Sequence, residues 1–183
     1  LNPDRSDVEA EWAISFCNAL GLLFMSREFG EPNYVEARRW LEQGLELLQK
    51  YGSRLQDPME LESILRGNLA YILARAEGRY AEATRILEEI RPSLRWKRDL
   101  AEWHLTMAVY AYRQCRIWEA RRYGEAGESL LRDLGLQQIG GEEAEEWRQI
   151  QARLNRPFGA LREKLRCWLG KRGSGAKQRE GKS

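Results

Sequence analysis

The chain has 183 residues, of which 43% are hydrophobic and 32% are charged, and its formal net charge is +2. This length and apolar content predict a single domain with a buried core and exclude a chain that is disordered throughout. The sequence has no run of about 18 apolar residues and therefore predicts no membrane-spanning helix, and no secretory signal is recognisable. The three cysteines, Cys17, Cys115 and Cys167, are odd in number and far apart, which predicts reduced thiols in a cytoplasmic protein.

Helices are the only elements that the sequence predicts, because apolar residues recur at intervals of three and four and no segment alternates with period two. Four helix starts are marked by a capping residue with Glu three positions later: Ser6, Asn33, Asp57 and Asp99. Helix ends are predicted at Gly30, Gly52, Gly78, Pro92 and Gly135. In chain order, the predicted helices cover residues 7–29, 34–51, 58–77, 80–91, 99–114, 117–134, 142–155 and 158–169.

A recurring pattern of small residues, glycines and aromatic residues marks the turns between these helices. Its clearest copy is Asn68-Leu69-Ala70 followed by Gly78-Arg79-Tyr80-Ala81-Glu82-Ala83. This segment resembles the centre of a tetratricopeptide repeat, a pair of antiparallel helices with a period of about 34 residues. Looser copies lie around Glu36-Ala37 and Glu119-Ala120, so that the resemblance covers about residues 12–134. Cys115 stands where that family usually has Gly, and Gly124 and Gly127 fall inside a helix, so the repeats are irregular.

The resemblance implies an all-α fold, a right-handed α-solenoid of about three helical hairpins followed by C-terminal capping helices. We expect the hairpins within residues 1–135, the capping helices within 136–169 and a disordered basic tail over 170–183. The second-helix alanines are expected at close helix crossings: Ala37, Ala83 and Ala120. Four tryptophans are expected to pack between helices: Trp12, Trp40, Trp103 and Trp118.

A repeat fold of this kind implies a non-enzymatic scaffold that binds a peptide or a partner helix in a concave groove. The expected groove residues are Asn18, Met25, Asn68, Ile72, Arg75, Val109, Tyr112 and Arg113, with Tyr71 and Tyr110 as further aromatic candidates. Asn and Arg suit the amides and carboxylates of a bound peptide. Asn18 and Asn68 suit a hydrogen bond between helices equally well.

The end of the chain is basic, with eight Lys or Arg against two Glu from Arg162 onward. This tail suits weak, nonspecific contact with nucleic acid or another anionic surface, and a solubilising end without a partner is the alternative. The preceding helix has an apolar face with basic neighbours, which is typical of helices that lie on membranes. A cap helix explains the same face, so we expect no membrane partner.

Catalytic and metal-binding patterns are absent from the sequence: it has no phosphate-binding Gly-rich loop with Lys, no zinc-type spacing and no nucleophile elbow. We therefore expect no enzymatic activity, no cofactor and no metal. Glu142, Glu143, Glu145 and Glu146 favour a helix start, and a metal site made of these glutamates is the less favoured alternative. The alternative function is a ligand- or peptide-sensing domain of a larger bacterial transcription regulator or signalling protein, for which the first residue, Leu1, suggests a missing upstream part.

Overall fold

A computed structural model describes residues 5–27, 30–137 and 141–177. These residues form eight α-helices and no β-strand, so the all-α prediction is confirmed. The helices are α1 (Arg5–Met25), α2 (Tyr34–Tyr51), α3 (Pro58–Arg75), α4 (Tyr80–Ile90), α5 (Lys97–Arg113), α6 (Ile117–Asp133), α7 (Glu142–Leu154) and α8 (Gly159–Lys177). The right-handed solenoid stays a prediction.

Two of the four predicted capping residues begin a helix. The side chain of Asn33 accepts a hydrogen bond from the Glu36 backbone N–H at 3.2 Å, and Asp57 accepts one from Glu60 at 3.1 Å. The Asp99 prediction was wrong because α5 begins two residues earlier, at Lys97, which places Asp99 inside its first turn. α1 begins at Arg5, so Ser6 also lies within a helix.

Glycines with positive φ follow α3 and α6, near the helix ends predicted at Gly78 and Gly135. Gly78 and Gly135 have φ of 66° and 68°, the left-handed conformation that favours glycine. Cys115 occupies the turn between α5 and α6 with φ of 64°, although a side chain is disfavoured there. Gly52 differs, because its φ of −56° is right-handed and it lies in the short 3₁₀ turn after α2.

The described helices fall into two compact units, one within Leu1–Arg95 and the other within Trp96–Ser183. In the N-terminal unit, α1 pairs with α2, α3 pairs with α4, and α3 also contacts α1 and α2. Its central cluster of buried side chains consists of Ile14, Ala37, Leu41, Leu48, Leu65 and Ile72. α1 and α2 approach closely because Gly21 has no side chain: a Cβ there would lie 2.7 Å from Leu41 Cδ2.

In the C-terminal unit, α5 pairs with α6, and α7 and α8 pack on this pair. The two glycines inside α6 provide space for neighbouring helices. A Cβ at Gly127 would lie 2.9 Å from Leu105 Cδ2 of α5, and a Cβ at Gly124 would fall on the indole ring of Trp147 of α7. Gly124 and Gly127 are therefore close-packing positions and explain one irregularity of the predicted repeats.

The predicted burial of small and aromatic residues is met in part. Ala37, Ala83 and Ala120 are all fully buried, as expected for residues between paired helices. Trp103 is also buried, but Trp12 and Trp118 are 74% and 58% exposed, so the prediction that they pack between helices was wrong.

The end of the chain also differs from the prediction. α8 continues as a helix to Lys177, whereas the disordered tail was expected from Gly170. Residues 178–183 lie outside the described part of the chain, as do residues 28 and 29 at the predicted end of the first helix.

Candidate functional site

Two of the predicted groove residues bind each other. The side-chain amide of Asn68 in α3 donates a hydrogen bond to Oδ1 of Asn18 in α1 at 2.8 Å, and both side chains are partly buried. This is the alternative role that the sequence left open. A buried amide pair satisfies polar groups that would otherwise be costly to remove from water. Asn18 and Asn68 therefore hold α1 against α3.

Two other predicted groove residues lie in the core. Ile72 and Val109 are each 1% exposed, so that contact with a ligand requires rearrangement of their helices. Tyr110, a further aromatic candidate, is equally buried. Met25 is partly buried and packs against the central cluster of the N-terminal unit.

The remaining candidates in α5 bind acidic side chains of the same unit. The Tyr112 hydroxyl donates to Glu163 of α8 at 2.5 Å, and Arg113 Nε donates to Glu146 of α7 at 2.7 Å. Arg113 was expected to hold the carboxylate of a ligand, but it holds one from its own chain. The pKa of Tyr112 is raised, first because burial disfavours the phenolate and next because the hydroxyl donates to Glu163.

In α3, Arg75 lies over the ring of Tyr71, with 5.8 Å between the guanidinium carbon and the ring centroid. Such cation–π contacts orient an arginine side chain at moderate gain in free energy. These two residues are half-buried and remain neighbours on one helix. Several of the predicted groove residues thus contact other side chains of the same chain, within one helix or between two. The ligand-binding role of Arg75 stays a prediction.

A row of exposed apolar side chains lies on α1, and the predicted groove residues of this helix, Asn18 and Met25, are not part of it. Trp12 is 74% exposed, Phe16 is 61% exposed and Leu23 is 42% exposed. With about 100° between successive residues of a helix, these side chains and Ala19 point in one direction. We call Trp12, Phe16, Ala19 and Leu23 the α1 seam. The opposite side of α1 carries the buried Ala10, Ile14 and Cys17.

Two apolar sides make α1 unusually hydrophobic. Among the described helices, Asp7–Met25 alone is long and apolar enough to cross a membrane by length and composition, with a mean hydropathy of 1.3. The sequence-based exclusion of such a segment therefore fails for α1. Helices that pack in protein cores pass the same criterion. Here Ile14 belongs to the central cluster and Asn18 binds α3, which are the contacts of a helix packed in a protein unit.

A cleft of about 540 Å³ lies in the C-terminal unit beside α5, α6 and α7. Apolar side chains, including Leu105, Leu131 and Trp147, form much of its wall, and Glu128 and Arg148 add charge. The wall ends at Gln137, and residues 138–140 lie outside the described part of the chain. We assign no ligand to this cleft.

Groups suited to metal binding or nucleophilic chemistry are sparse in the described residues. No set of three or more His, Cys, Asp or Glu side chains there is arranged to hold a metal ion. All three cysteines are free thiols. Burial raises the pKa of the Cys17 thiol, which lowers the thiolate fraction on which reactivity depends.

Comparison of the chain with protein-family models, with curated proteins and with solved structures gives no match. The resemblance to tetratricopeptide repeats therefore stays a prediction from the quoted residues.

Proposed function

We propose that this protein is a non-enzymatic interaction scaffold whose α1 seam binds a partner helix. The observation that carries the proposal is the row of exposed apolar side chains on α1, beginning with Trp12 and Phe16. Large exposed apolar surfaces on folded proteins mark interaction sites more often than isolated apolar residues do. Exposed tryptophan and phenylalanine also make large contributions when a partner buries them.

The spacing of the seam favours a helix over an extended peptide. Trp12, Phe16, Ala19 and Leu23 follow one another at intervals of four, three and four residues. This is the a and d spacing with which two helices pack side chains into each other's gaps. The small Ala19 between larger side chains provides a recess for one bulky residue of the partner.

The charge beside the seam specifies the partner further. Glu11 is exposed on one side of Trp12, and Glu9 is exposed on the other side. Acidic residues flanking a helix interface favour a partner with basic flanking residues. The proposed occupant is therefore an amphipathic helix with an apolar stripe and Lys or Arg on its borders.

A synthetic helical peptide with Leu at positions a and d and Lys at positions e and g provides the probe. Its binding to the full chain is measured by fluorescence anisotropy, beside a peptide of the same composition whose order gives no apolar stripe. We expect the patterned peptide to bind, and Trp12→Glu to weaken that binding by about thirtyfold, since a tryptophan buried by a partner contributes roughly 2 kcal/mol.

Trp118→Glu is the matched control, because Trp118 is 58% exposed in α6 of the other unit. We expect it to bind the patterned peptide like the parent chain. Equal binding of both peptides, or equal losses in the Trp12 and Trp118 variants, would show that the α1 seam does not select a helix. Circular dichroism of each variant checks that the helices remain intact.

A further inference from the structure

α8 packs on its own unit through its smallest and most polar side. Gly159 and Ala160 are buried, and Glu163 and Cys167 are half-buried. Glu163 accepts the hydrogen bond from Tyr112 of α5, which fixes the rotation of α8 about its axis. The side of α8 that packs on the unit is therefore formed by small and polar residues, without a large apolar side chain.

The opposite side of α8 is apolar and exposed. Phe158, directly before the helix, is 76% exposed, and Leu161, Leu165 and Trp168 are 54%, 51% and 49% exposed. Spacings of three, four and three residues place these side chains on one face of the helix. The sequence predicted that this face covers the preceding repeat, whereas these four side chains are exposed in the structure.

The backbone at Phe158 supports an outward role. Phe158 has a φ of 58°, a left-handed conformation that is rare for an aromatic residue. Its carbonyl oxygen accepts a hydrogen bond from the Arg162 backbone N–H at 2.9 Å, so the residue is held at the start of α8. The conformation is maintained while the ring projects into solvent.

Basic side chains border the apolar face. Arg162 and Arg166 lie on one border and Lys164 on the other, and all three are exposed. From Arg162 to the end of the chain there are eight Lys or Arg against two Glu, and Glu163 is turned toward Tyr112. We refer to Phe158, Leu161, Leu165 and Trp168 with these three basic residues as the α8 face.

We propose that the α8 face binds the surface of an anionic lipid bilayer, with the helix lying in the plane of the interface. An apolar face with Trp, bordered by Lys and Arg, is the arrangement that places apolar side chains among acyl chains and charges among head groups. Binding to nucleic acid uses the charges but leaves Leu161 and Leu165 in water, so the bilayer accounts for more of the face. This reverses the sequence-based expectation that the chain has no membrane partner.

Co-sedimentation of the full chain with vesicles tests the proposal. One set of vesicles contains phosphatidylcholine alone, and the other contains phosphatidylcholine and phosphatidylserine in equal amounts. We expect binding to the mixed vesicles that weakens with salt, and much weaker binding to the neutral ones. Leu165→Glu should lower the affinity by about tenfold or more. Arg162→Ala and Arg166→Ala should each lower it about fivefold.

Val35→Glu is the matched control, because it replaces an exposed aliphatic side chain of α2, outside both proposed surfaces, with the same acidic residue. It should leave vesicle binding unchanged, and circular dichroism should show an intact fold for all variants. Equal binding to both vesicle types, no effect of Leu165→Glu, or loss of binding in Val35→Glu alone would overturn the proposal. The proposal would also be overturned if duplex DNA displaced the chain from the vesicles and bound the Leu165→Glu variant as tightly as the parent chain.

Discussion

Half-buried contacts between helices use different chemistry in the two units. In the N-terminal unit, Asn68 donates to Asn18. In the C-terminal unit, the Tyr112 hydroxyl and the Trp147 indole N–H both donate to carboxylates, those of Glu163 and Glu128. Hydrogen bonds to a carboxylate are stronger than those between neutral groups. Their loss is also more costly, because it leaves a donor or a charge unsatisfied at a partly buried position. The C-terminal unit should therefore respond more strongly to changes of single residues.

The largest expected difference between the units concerns glycines that face a neighbouring helix. Gly124→Ala should destabilise the C-terminal unit by about 3 kcal/mol, because the new methyl group meets the Trp147 ring, which is held by Glu128. Chemical denaturation measures the loss, and hydrogen exchange locates it in α6 and α7.

Gly44→Ala in α2 is the N-terminal counterpart. A Cβ there lies 3.0 Å from Leu65 Cδ2, the end of a flexible side chain. The gain in helix propensity of about 1 kcal/mol should offset much of the strain. Similar losses in the free energy of unfolding for both substitutions would mean that the two helix interfaces are equally rigid, which would contradict the expected difference between the units.

A second difference depends on Glu128, whose carboxylate accepts hydrogen bonds from both Trp147 and Gln151 of α7. Glu128→Ala should lower the free energy of unfolding by about 2 kcal/mol, because the buried indole N–H loses its acceptor. Glu125→Ala is the control on the same helix. Its carboxylate pairs with Arg121 on the surface at 2.9 Å, a contact that contributes about 0.3 kcal/mol. Comparable effects of the two changes would contradict a special role for Glu128.

At high pH, the stability of the C-terminal unit should depend on the proton of Tyr112. The pKa of Tyr112 is raised in the folded chain, so the folded state keeps its phenolic proton after the unfolded state has lost it. The resulting stabilisation is complete below pH about 10, the ordinary value for tyrosine, and disappears as the pH rises through the raised pKa.

Tyr112→Phe should cost about 1 to 2 kcal/mol at neutral pH, because the hydrogen bond to Glu163 is lost. The difference from the parent chain should shrink as the pH rises past 10, as measured by denaturation at several pH values. A difference that is constant with pH would show that the Tyr112 proton is not linked to folding.

The smallest expected effect distinguishes the turns of the two units. Positions 78 and 115 have nearly the same positive φ, a conformation that favours the glycine at 78 and disfavours the cysteine at 115. Cys115→Gly should stabilise the C-terminal unit by about 1 kcal/mol, and Gly78→Ala should destabilise the N-terminal unit by a similar amount. Thermal unfolding with both variants checks the two signs, and a loss of stability in Cys115→Gly would indicate that the thiol makes a contact that outweighs the strain.

Helix positions could be predicted from the sequence because their ends depend on local interactions. The Asn33 and Asp57 caps and the Gly78 turn act within a few residues, and the starts of α2, α3 and α4 agree with the predicted ones. Asp99 was misread because an acidic residue favours both the capping position and the first turn of a helix. A sequence pattern does not distinguish these two positions when an apolar residue such as Trp96 precedes the helix.

The surfaces were harder to predict because exposure depends on contacts between helices. The spacing of Trp12 and Phe16 suits a core face as well as an exposed one, and the opposite side of α1 carries Ile14 and Cys17. Only the packing of α2 and α3 decides which side is inside. Ile72 and Val109 were placed in a groove by the family pattern, and a rotation of each helix by one residue is enough to move such side chains into the core.

The positions of the tryptophans give the chain built-in optical reporters. Trp12 lies in the α1 seam and Trp168 in the α8 face, whereas Trp103 and Trp147 are buried. Indole emission shifts to shorter wavelength when water leaves the ring, and only the exposed rings have water to lose. An unlabelled sample therefore carries one fluorophore in each proposed surface, and comparing Trp12→Phe with Trp168→Phe identifies which surface a bound partner or vesicle has covered.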